Sequence, residues 1–276
     1  MTSKIRALAV QETKTVIVTK GLSKIYPNGA QALKDVNLSV RPDDFIVIIG
    51  RSGAGKTTLL RCFNRLIQPT EGRIILKGED ITSITGRSLQ QVRSKMGMIF
   101  QQFNLVRRLT VIENVLVGRF HFQKSAVRWV GSLLRCFGRE DKDIAFECLK
   151  EVGIGDLAFQ RCERLSGGQQ QRVAIARALA QQPEIILADE PIASLDPRSA
   201  DKVMDLLSAI HEKQGIPVIV NLHHIDYAKR YGKRVIGMAG GRIVFKGYAD
   251  DLSREVIERV YAGADEEEMD QLVACA

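Results

Sequence analysis

The chain has 276 residues, of which 45% are hydrophobic, and it carries a formal net charge of +8 at pH 7. This hydrophobic content excludes a disordered chain and is sufficient for one large domain, or for one domain with a subdomain. The sequence contains no run of about 18 apolar residues, so no membrane-spanning segment is predicted. Its first residues also lack the apolar stretch of a signal peptide.

The charge is unevenly distributed along the chain. Residues 248–276 hold nine acidic and two basic side chains, a net charge of −7, so the first 247 residues carry +15. A basic body of this kind is typical of proteins that bind nucleic acid, an anionic membrane face or an anionic ligand. It also occurs as an ordinary solvated surface, and charge alone does not decide between these.

The five cysteines are scattered, and none of them forms a C-x-x-C pair. This pattern predicts reduced thiols in a cytosolic compartment, rather than a disulfide framework or a zinc site. The cysteines are Cys62, Cys136, Cys148, Cys162 and Cys275.

Residues 15–40 predict two strands around a turn. The segments TVIVTK and VNLSV alternate as half-buried strands do, and Pro27, Asn28 and Gly29 lie between them as turn-forming residues. We expect these strands to form a β-rich flank. Tyr26 precedes the turn, where its ring could stack on an adenine, although a tyrosine taken alone is more often a core or surface residue.

A glycine-rich loop at residues 50–58 follows an apolar strand. The loop reads GRSGAGKTT and fits G-x-x-x-x-G-K-[ST]. The segment DFIVIIG before it predicts a strand, and TTLLRCFNRLI (57–67) after it has helical spacing. This strand–loop–helix order is the setting of a phosphate-binding P-loop, whereas the plainer interpretation is a glycine-rich turn.

The P-loop motif predicts how each of its groups meets a nucleotide. Backbone N–H groups and the helix N-terminus would surround phosphate oxygens. Lys56 is expected to reach the β- and γ-phosphates, and the Thr57 hydroxyl to hold Mg²⁺. The nucleotide-binding residues predicted here are Gly50, Arg51, Ser52, Gly53, Ala54, Gly55, Lys56, Thr57 and Thr58.

After the P-loop region the predicted elements change from strands to helices. The segment GRIILKGEDIT (72–82) predicts a β-hairpin, and SLQQVRSKMGMIFQ (88–101) predicts a short helix and a buried strand that ends at Gln101. Residues 110–163 are predicted as mainly helical. An apolar stripe within them either packs on the rest of the protein or contacts a partner or membrane surface. Its members are Trp129, Val130, Leu133, Leu134 and Phe137.

Two further motifs lie between residues 165 and 191. In LSGGQQQR (165–172), a small serine- and glycine-containing loop opens a helix and predicts a second anion site. In EIILADEP (184–191), a buried strand ends at two acidic residues. Asp189 is placed to hold Mg²⁺ and Glu190 to polarise the attacking water as a general base.

The remaining elements continue an alternation of helices and strands. Helices are predicted at 169–182 and 199–215, a buried strand at IPVIVNLHH, two strands joined at Gly240-Gly241, and a helical tail from residue 248. Buried strands that alternate with helices after a P-loop indicate a largely parallel α/β sheet.

LSGGQ after a P-loop, followed by an Asp-Glu-Pro strand end, resembles the ATP-binding-cassette (ABC) family over residues 15–250. The resemblance implies an α/β fold: a P-loop NTPase core with a parallel sheet, an antiparallel β flank and a helical subdomain. It divides one ATPase domain, residues 1–276, into three parts. These are a core with its flank (15–100 and 183–250), a helical subdomain with LSGGQ (101–182) and an acidic tail (251–276).

The resemblance also implies roles for single residues. Tyr26 matches the aromatic residue that stacks on adenine, and Gln101 matches the glutamine that contacts Mg²⁺ and the attacking water. His223 matches the histidine that contacts the γ-phosphate, with His224 as the alternative. The segment Ser194–Asp196 matches one that crosses a dimer interface. The residues that would contact the partner's nucleotide are Ser166, Gly167, Gly168 and Gln169.

Within this family the chain is similar to the phosphonate-import ATPases. The similarity rests on sequence segments such as FQQFNLVRRLTVIENVLVGR and ADEPIASLDP. The resemblance implies a homodimer that closes on ATP and Mg²⁺ at the cytoplasmic face of the inner membrane. Its partners would be two permease subunits and, indirectly, a phosphonate-binding protein, with no nucleic acid. The alternatives are a soluble ATPase of a phosphonate-degrading complex and a nucleic-acid- or ribosome-associated ATPase.

Overall fold

The structure, a computed structural model, describes residues 15–122 and 137–262. It forms two compact units, of which the first combines the chain up to Leu89 with the chain from Ile210 onward, and the second runs from Gln90 to Ala209. Within the described ranges, no helix is both long and apolar enough to cross a membrane.

The strands and helices are numbered in chain order. The strands are β1 (Ile17–Ile25), β2 (Gln31–Val40), β3 (Phe45–Ile49), β4 (Glu71–Leu76), β5 (Glu79–Asp80), β6 (Met96–Ile99), β7 (Ile185–Asp189), β8 (Val218–Asn221), β9 (Arg234–Ala239) and β10 (Arg242–Gly247). The helices are α1 (Lys56–Phe63), α2 (Gly86–Ser94), α3 (Val111–Leu116), α4 (Arg139–Glu151), α5 (Gly167–Ala180), α6 (Pro197–Gln214), α7 (Ile225–Tyr231) and α8 (Arg254–Val260).

The predicted β flank of the first unit is confirmed. Strand β1 pairs antiparallel with both β2 and β4, and β5 pairs antiparallel with β4 as the second strand of the predicted hairpin. The turn between β1 and β2 is closed by the Tyr26 N–H, which donates to the Ala30 carbonyl at 2.9 Å. Tyr26 therefore stands at the end of β1, beside this turn.

The parallel part of the first unit is organised around β3. All five residues of β3 are buried, and the strand pairs in parallel with β8 on one side and β9 on the other. The sequence of such a strand is a continuous apolar run because both of its faces are covered. Strand β10 then pairs antiparallel with β9 through the predicted Gly240-Gly241 turn.

The start of β3 is held by a mostly buried ion pair. A carboxylate oxygen of Asp44 lies 2.5 Å from Nη1 of Arg234, and the same Asp44 oxygen accepts the Arg41 N–H at 2.7 Å. The guanidinium also donates to the Ser39 carbonyl at 3.1 Å. Asp44 and Arg234 thus connect the beginnings of β3 and β9 to the end of β2.

Two predicted helices have different bounds in the structure. The helix predicted over 57–67 ends at Phe63, because Asn64 leaves the helical conformation and Arg65 takes a left-handed φ of 58°. The predicted helical tail begins only at α8, after a short 3-10 turn at Ala249–Asp251. The Ser253 hydroxyl caps α8 by accepting the Val256 N–H at 3.4 Å.

The second unit pairs β6 with β7 in parallel, and α5 packs against β6. Helix α3 begins with a capping box, in which Thr110 and Glu113 exchange hydrogen bonds between side chain and backbone. A 3-10 helix, Val117–Phe122, follows it. Gly118 in that helix approaches α5 so closely that a Cβ would lie 2.3 Å from the Arg177 carbonyl oxygen.

Arg119 makes several contacts within this helical region. Its Nε lies 2.9 Å from Asp141 of α4, and its Nη1 donates to the Ala180 carbonyl at 3.0 Å and to Gln182 at 3.2 Å. The guanidinium also lies 3.7 Å from the centre of the Phe122 ring. Arg119 therefore links the 3-10 helix to α4 and to the end of α5.

Part of the predicted apolar stripe, from Trp129 to Leu134, lies outside the described residues, as do Cys136, Cys275 and the tail from residue 263 onward. Phe137 is buried, with its ring centre 5.2 Å from that of Phe120. The described cysteines are free and buried thiols. Burial raises the pKa of Cys62 to about 12 and that of Cys148 and Cys162 to about 11.

Candidate nucleotide site

The loop between β3 and α1 has a backbone that glycine adopts most easily. Gly50, Gly53 and Gly55 have φ values of 145°, 80° and 102°. A Cβ at Gly50 would lie 2.2 Å from the Met238 carbonyl oxygen, and a Cβ at Gly55 would lie 2.4 Å from that of Ala32. Gly50 and Gly55 therefore let the loop pack directly against neighbouring backbone while it turns from the strand into the helix.

Lys56 is the first residue of α1, and its side chain folds over this loop. It is only 3% exposed, and its ammonium donates to the Gly50 carbonyl at 2.5 Å and to the Arg51 carbonyl at 3.1 Å. A positive charge is thus held inside a glycine loop at a helix N-terminus, where the helix adds its own partial positive charge. Such a loop suits the phosphate groups of a nucleotide.

The two candidate histidines that follow β8 have different surroundings. The Nδ1 atom of His223 lies 3.5 Å from Nζ of Lys56, and the His223 side chain is half-buried. His224 is exposed, and its ring meets Tyr227 edge-on at 6.1 Å. Of the two, His223 is therefore the one beside the P-loop.

Tyr26 also lies beside the P-loop helix. Its hydroxyl oxygen is 3.3 Å from the Thr58 hydroxyl oxygen, and its ring is half-buried. The ammonium of Lys24 lies 5.4 Å from the centre of this ring. The first unit thus brings together Tyr26, the glycine loop, Lys56 and His223.

The acidic pair of the second unit stands at the end of β7. Asp189 closes a strand in which every residue is buried, and it is itself 3% exposed. Glu190 follows with a φ of 52°, a left-handed conformation that costs a non-glycine residue roughly 1–2 kcal/mol. Backbone strain of this kind concentrates at functional positions.

The LSGGQ segment forms the N-terminus of α5. The Ser166 hydroxyl accepts the Gln169 N–H at 3.3 Å, and the Gln169 side chain accepts the Ser166 N–H at 2.9 Å. Gly168 packs on Ser199, which lies 3.0 Å from where a Cβ would be. Ser166 is exposed, so the opening of the helix is accessible from outside this unit.

Asp196, near that helix opening, caps the start of α6. Its carboxylate accepts the Ser199 N–H at 3.0 Å. Hydrogen bonds from the Ser199 side chain and backbone hold the pKa of this exposed carboxyl below its usual value. Asp196 is therefore charged at neutral pH.

Gln101 lies just beyond β6 and is exposed. The segment after it is held by Arg177 of α5, a contact that no sequence motif predicts. Its guanidinium donates to the Asn104 carbonyl at 2.6 Å and to the Phe103 carbonyl at 2.9 Å. Burial lowers the pKa of Arg177. Nothing in the local sequence marks this contact, because 73 residues separate Arg177 from Asn104.

The described residues hold no cluster of three or more histidine, cysteine or acidic side chains that could bind a metal ion. Mg²⁺ does not require one, because it is usually bound by one or two carboxylates together with substrate phosphates and water. The buried Asp189 carboxylate and the Thr57 hydroxyl are hard oxygen donors of the kind that Mg²⁺ prefers. By donor chemistry alone, each of these two side chains is suited to Mg²⁺.

A family model described as ABC transporter matches residues 33–193, which is more than half of the chain. The chain belongs to the ABC transporter family. Its α/β fold is accordingly that of the family's P-loop NTPase core, and the predicted fold class is confirmed.

Similar proteins with curated names agree with this family. The phosphonates import ATP-binding protein PhnC 3 of Halalkalibacterium halodurans is 50% identical over 246 residues, which cover 89% of this chain and 94% of that protein. The phosphonates import ATP-binding protein PhnC of Thiobacillus denitrificans is 49% identical over 247 residues, or 90% of this chain and 93% of that protein.

A solved structure of the ATP-binding cassette MJ0796, described as a dimeric post-hydrolysis state bound to ADP and Pi, is also similar. It superposes with a TM-score of 0.74 at 37% identity, covering 84% of this chain and 98% of that one. ADP and Pi are the products of ATP hydrolysis.

Proposed function

We propose that this chain is the ATP-hydrolysing subunit of an importer for phosphonates, or for phosphate esters or phosphite. The observation that carries the proposal is the near-full-length identity of 47–50% to proteins named as phosphonates import ATP-binding proteins. The glycine loop with its buried Lys56 supports nucleotide binding independently of those names.

The residues of the first unit bind the nucleotide in this proposal. Tyr26 stacks on the adenine, and the loop from Gly50 to Thr58 surrounds the phosphates. The Lys56 ammonium exchanges its bonds to the loop carbonyls for phosphate oxygens, and His223 contacts the γ-phosphate. The 3.5 Å separation of Nδ1 and Nζ supports a shared phosphate for these two side chains.

The residues of the second unit supply the hydrolytic groups. Glu190 accepts a proton from the attacking water, and Gln101 orients that water. Thr57, Gln101 and Asp189 would hold Mg²⁺, which neutralises phosphate charge when it is bound. The left-handed backbone of Glu190 supports its role, because such strain is retained where a side chain must point in one direction.

The nucleotide would be enclosed only when a second copy of this chain is present. Ser166, Gly167, Gly168 and Gln169 of one copy would contact the γ-phosphate held by the P-loop of the other. The exposure of Ser166 and the dimeric state of the similar MJ0796 structure support this arrangement. Closure of the dimer, driven by tighter binding of ATP to the closed form, would move two permease subunits.

In this arrangement the chain lies at the cytoplasmic face of the inner membrane, bound to the permeases, and an external phosphonate-binding protein delivers the cargo. No nucleic acid takes part, and the basic body of the chain is a solvated or membrane-facing surface. The predicted helical subdomain (101–182) would carry the contact with the permeases.

Uptake of labelled methylphosphonate by cells that lack this chain tests the proposal. Plasmid-borne wild type should restore uptake, and Glu190→Gln should not, whereas Glu140→Gln, an exposed substitution in α4, should restore it. Normal uptake without the chain would contradict import. If such cells take up the compound but cannot grow on it, a phosphonate-degrading complex becomes the better assignment. Recovery of the chain only with ribosomes or RNA would favour the third alternative.

A further inference from the structure

The residue that follows α8 contacts the loop that carries His223. The hydroxyl of Tyr261, the residue that follows α8, donates to the His223 carbonyl at 3.0 Å. Tyr261 is 3% exposed and His223 is half-buried, so this hydrogen bond is partly shielded from solvent. The two residues are 38 positions apart, and both belong to the first unit.

Resting on the proposed function, we infer that Tyr261 is a positioning residue for hydrolysis, which acts by fixing the backbone of His223. The imidazole of the same residue lies beside the P-loop lysine, with Nδ1 3.5 Å from Nζ of Lys56. His223 is therefore held on its carbonyl side by Tyr261 while its side chain faces the proposed phosphate site.

The residues on either side of His223 are also held by backbone hydrogen bonds. The preceding residue, Leu222, donates its N–H to the Ile48 carbonyl at 2.9 Å, which ties it to β3. The following residue, His224, is the N-cap of α7, and its carbonyl accepts the Ala228 N–H at 3.4 Å. Between these two anchors, the hydrogen bond from Tyr261 sets the orientation of the His223 peptide group.

Helix α8 is a firm support for the tyrosine. Ile257 and Val260 are 0% and 1% exposed, and the Tyr261 N–H donates to the Ile257 carbonyl at 2.8 Å. Val260 packs on β9 at Gly237, where a Cβ would lie 2.3 Å from Val260 Cγ2. Gly237 pairs with Ile49, the last residue of β3 before the P-loop. The support of Tyr261 is thus continuous with the strand that leads into the P-loop.

The position of a phosphate-contacting group affects the rate strongly, because small displacements of such groups are costly. Tyr261→Phe removes one buried hydroxyl and keeps the ring. We expect it to lower the single-turnover rate of ATP hydrolysis by about fivefold, the equivalent of one hydrogen bond, and to leave the KM for ATP within about twofold. Tyr248→Phe makes the same chemical change on a tyrosine that is 61% exposed, and it should match wild type.

A double-mutant cycle distinguishes positioning from general support of the fold. If Tyr261 acts through His223, Tyr261→Phe should cause no further loss in a His223→Ala background. Equal fractional losses in both backgrounds would overturn the inference, as would a wild-type rate for Tyr261→Phe or a raised KM at an unchanged rate.

Hydrogen exchange in the full chain gives a second readout that does not depend on hydrolysis. In Tyr261→Phe we expect faster exchange at residues 222–225 and unchanged exchange at 254–260. Faster exchange throughout α8 would show that the hydroxyl only stabilises that helix, and unchanged exchange at 222–225 would also overturn the inference. If the wild-type chain with its permeases hydrolysed no ATP, the proposed function would fail, and exchange would still decide whether Tyr261 orders the His223 loop.

Discussion

The Nζ atom of Lys56 lies 3.5 Å from Nδ1 of His223, although 167 residues separate them in the sequence. They meet because β3 and β8 are parallel neighbours, so the loops that follow the two strands leave the sheet at the same edge. The fold thus brings together two side chains that the proposed function assigns to the same phosphate group.

Lys56→Ala should weaken ATP binding. The substitution removes a charged donor that is 3% exposed, and hydrogen bonds from charged groups are worth about 1.5–3 kcal/mol, which corresponds to about 10- to 150-fold in affinity. Titration calorimetry with a non-hydrolysable ATP analogue measures this loss. Lys213→Ala, at an exposed position in the last turn of α6, is the matched control. Equal affinities for the two variants would contradict the P-loop assignment.

Glu190→Gln should keep ATP affinity and lower the hydrolysis rate by about 10²–10⁴-fold, because the amide cannot accept the proton of the attacking water. The variant should also accumulate as a dimer in the presence of ATP. Phosphate release and light scattering report the two effects. Glu140→Gln makes the same change on an exposed helical residue and should leave both unchanged. A wild-type rate for Glu190→Gln would show that another group is the base.

Alanine at Gly53 and at Gly55 should have unequal effects. Both glycines have positive φ, so each substitution strains the backbone by roughly 1–2 kcal/mol. At Gly53 no atom lies within 4 Å of the new Cβ, whereas at Gly55 the Ala32 carbonyl oxygen lies at 2.4 Å. We expect Gly55→Ala to be about 1–3 kcal/mol more destabilising in urea unfolding. Similar free energies of unfolding would show that the loop relaxes away from Ala32.

Arg119→Ala should destabilise the protein by about 3–5 kcal/mol, because it leaves the mostly buried carboxylate of Asp141 without its guanidinium. Arg139→Ala is the contrasting variant, since that side chain is 97% exposed and lies 3.9 Å from Asp143. Its effect should stay within about 0.5 kcal/mol. Urea unfolding measures the free energy of unfolding of both variants. A small decrease in this free energy for Arg119→Ala would mean that solvent replaces the contacts of the guanidinium.

Local patterns in the sequence are sufficient for much of the fold. The apolar run of β3, the glycines of the P-loop and the turn at Gly240-Gly241 each act within a few residues, so their elements are predicted and confirmed. Helix α7 is not predicted, because its seven residues give too short a window for helical periodicity. The residue roles and the subdomain boundary at 101–182 stay predictions.

The contacts that organise the site are harder to predict because they join distant segments. No sequence periodicity predicts the hydrogen bond from Tyr261 to His223. The same holds for the hydrogen bonds from Arg177 to the backbone of Phe103 and Asn104. The left-handed backbone of Glu190 is equally hidden, since glutamate has no particular preference for that conformation. These features result from tertiary packing, which only the structure reveals.

At residue 190, the requirement for a stable backbone conflicts with the requirement for a catalytic carboxylate. Glycine and asparagine adopt its left-handed conformation at lower cost than glutamate does, and neither carries a carboxylate. A library of variants selected only for surviving high temperature would therefore drift toward inactive proteins at residue 190. Directed evolution of a more robust form of this chain needs turnover as part of every round of selection.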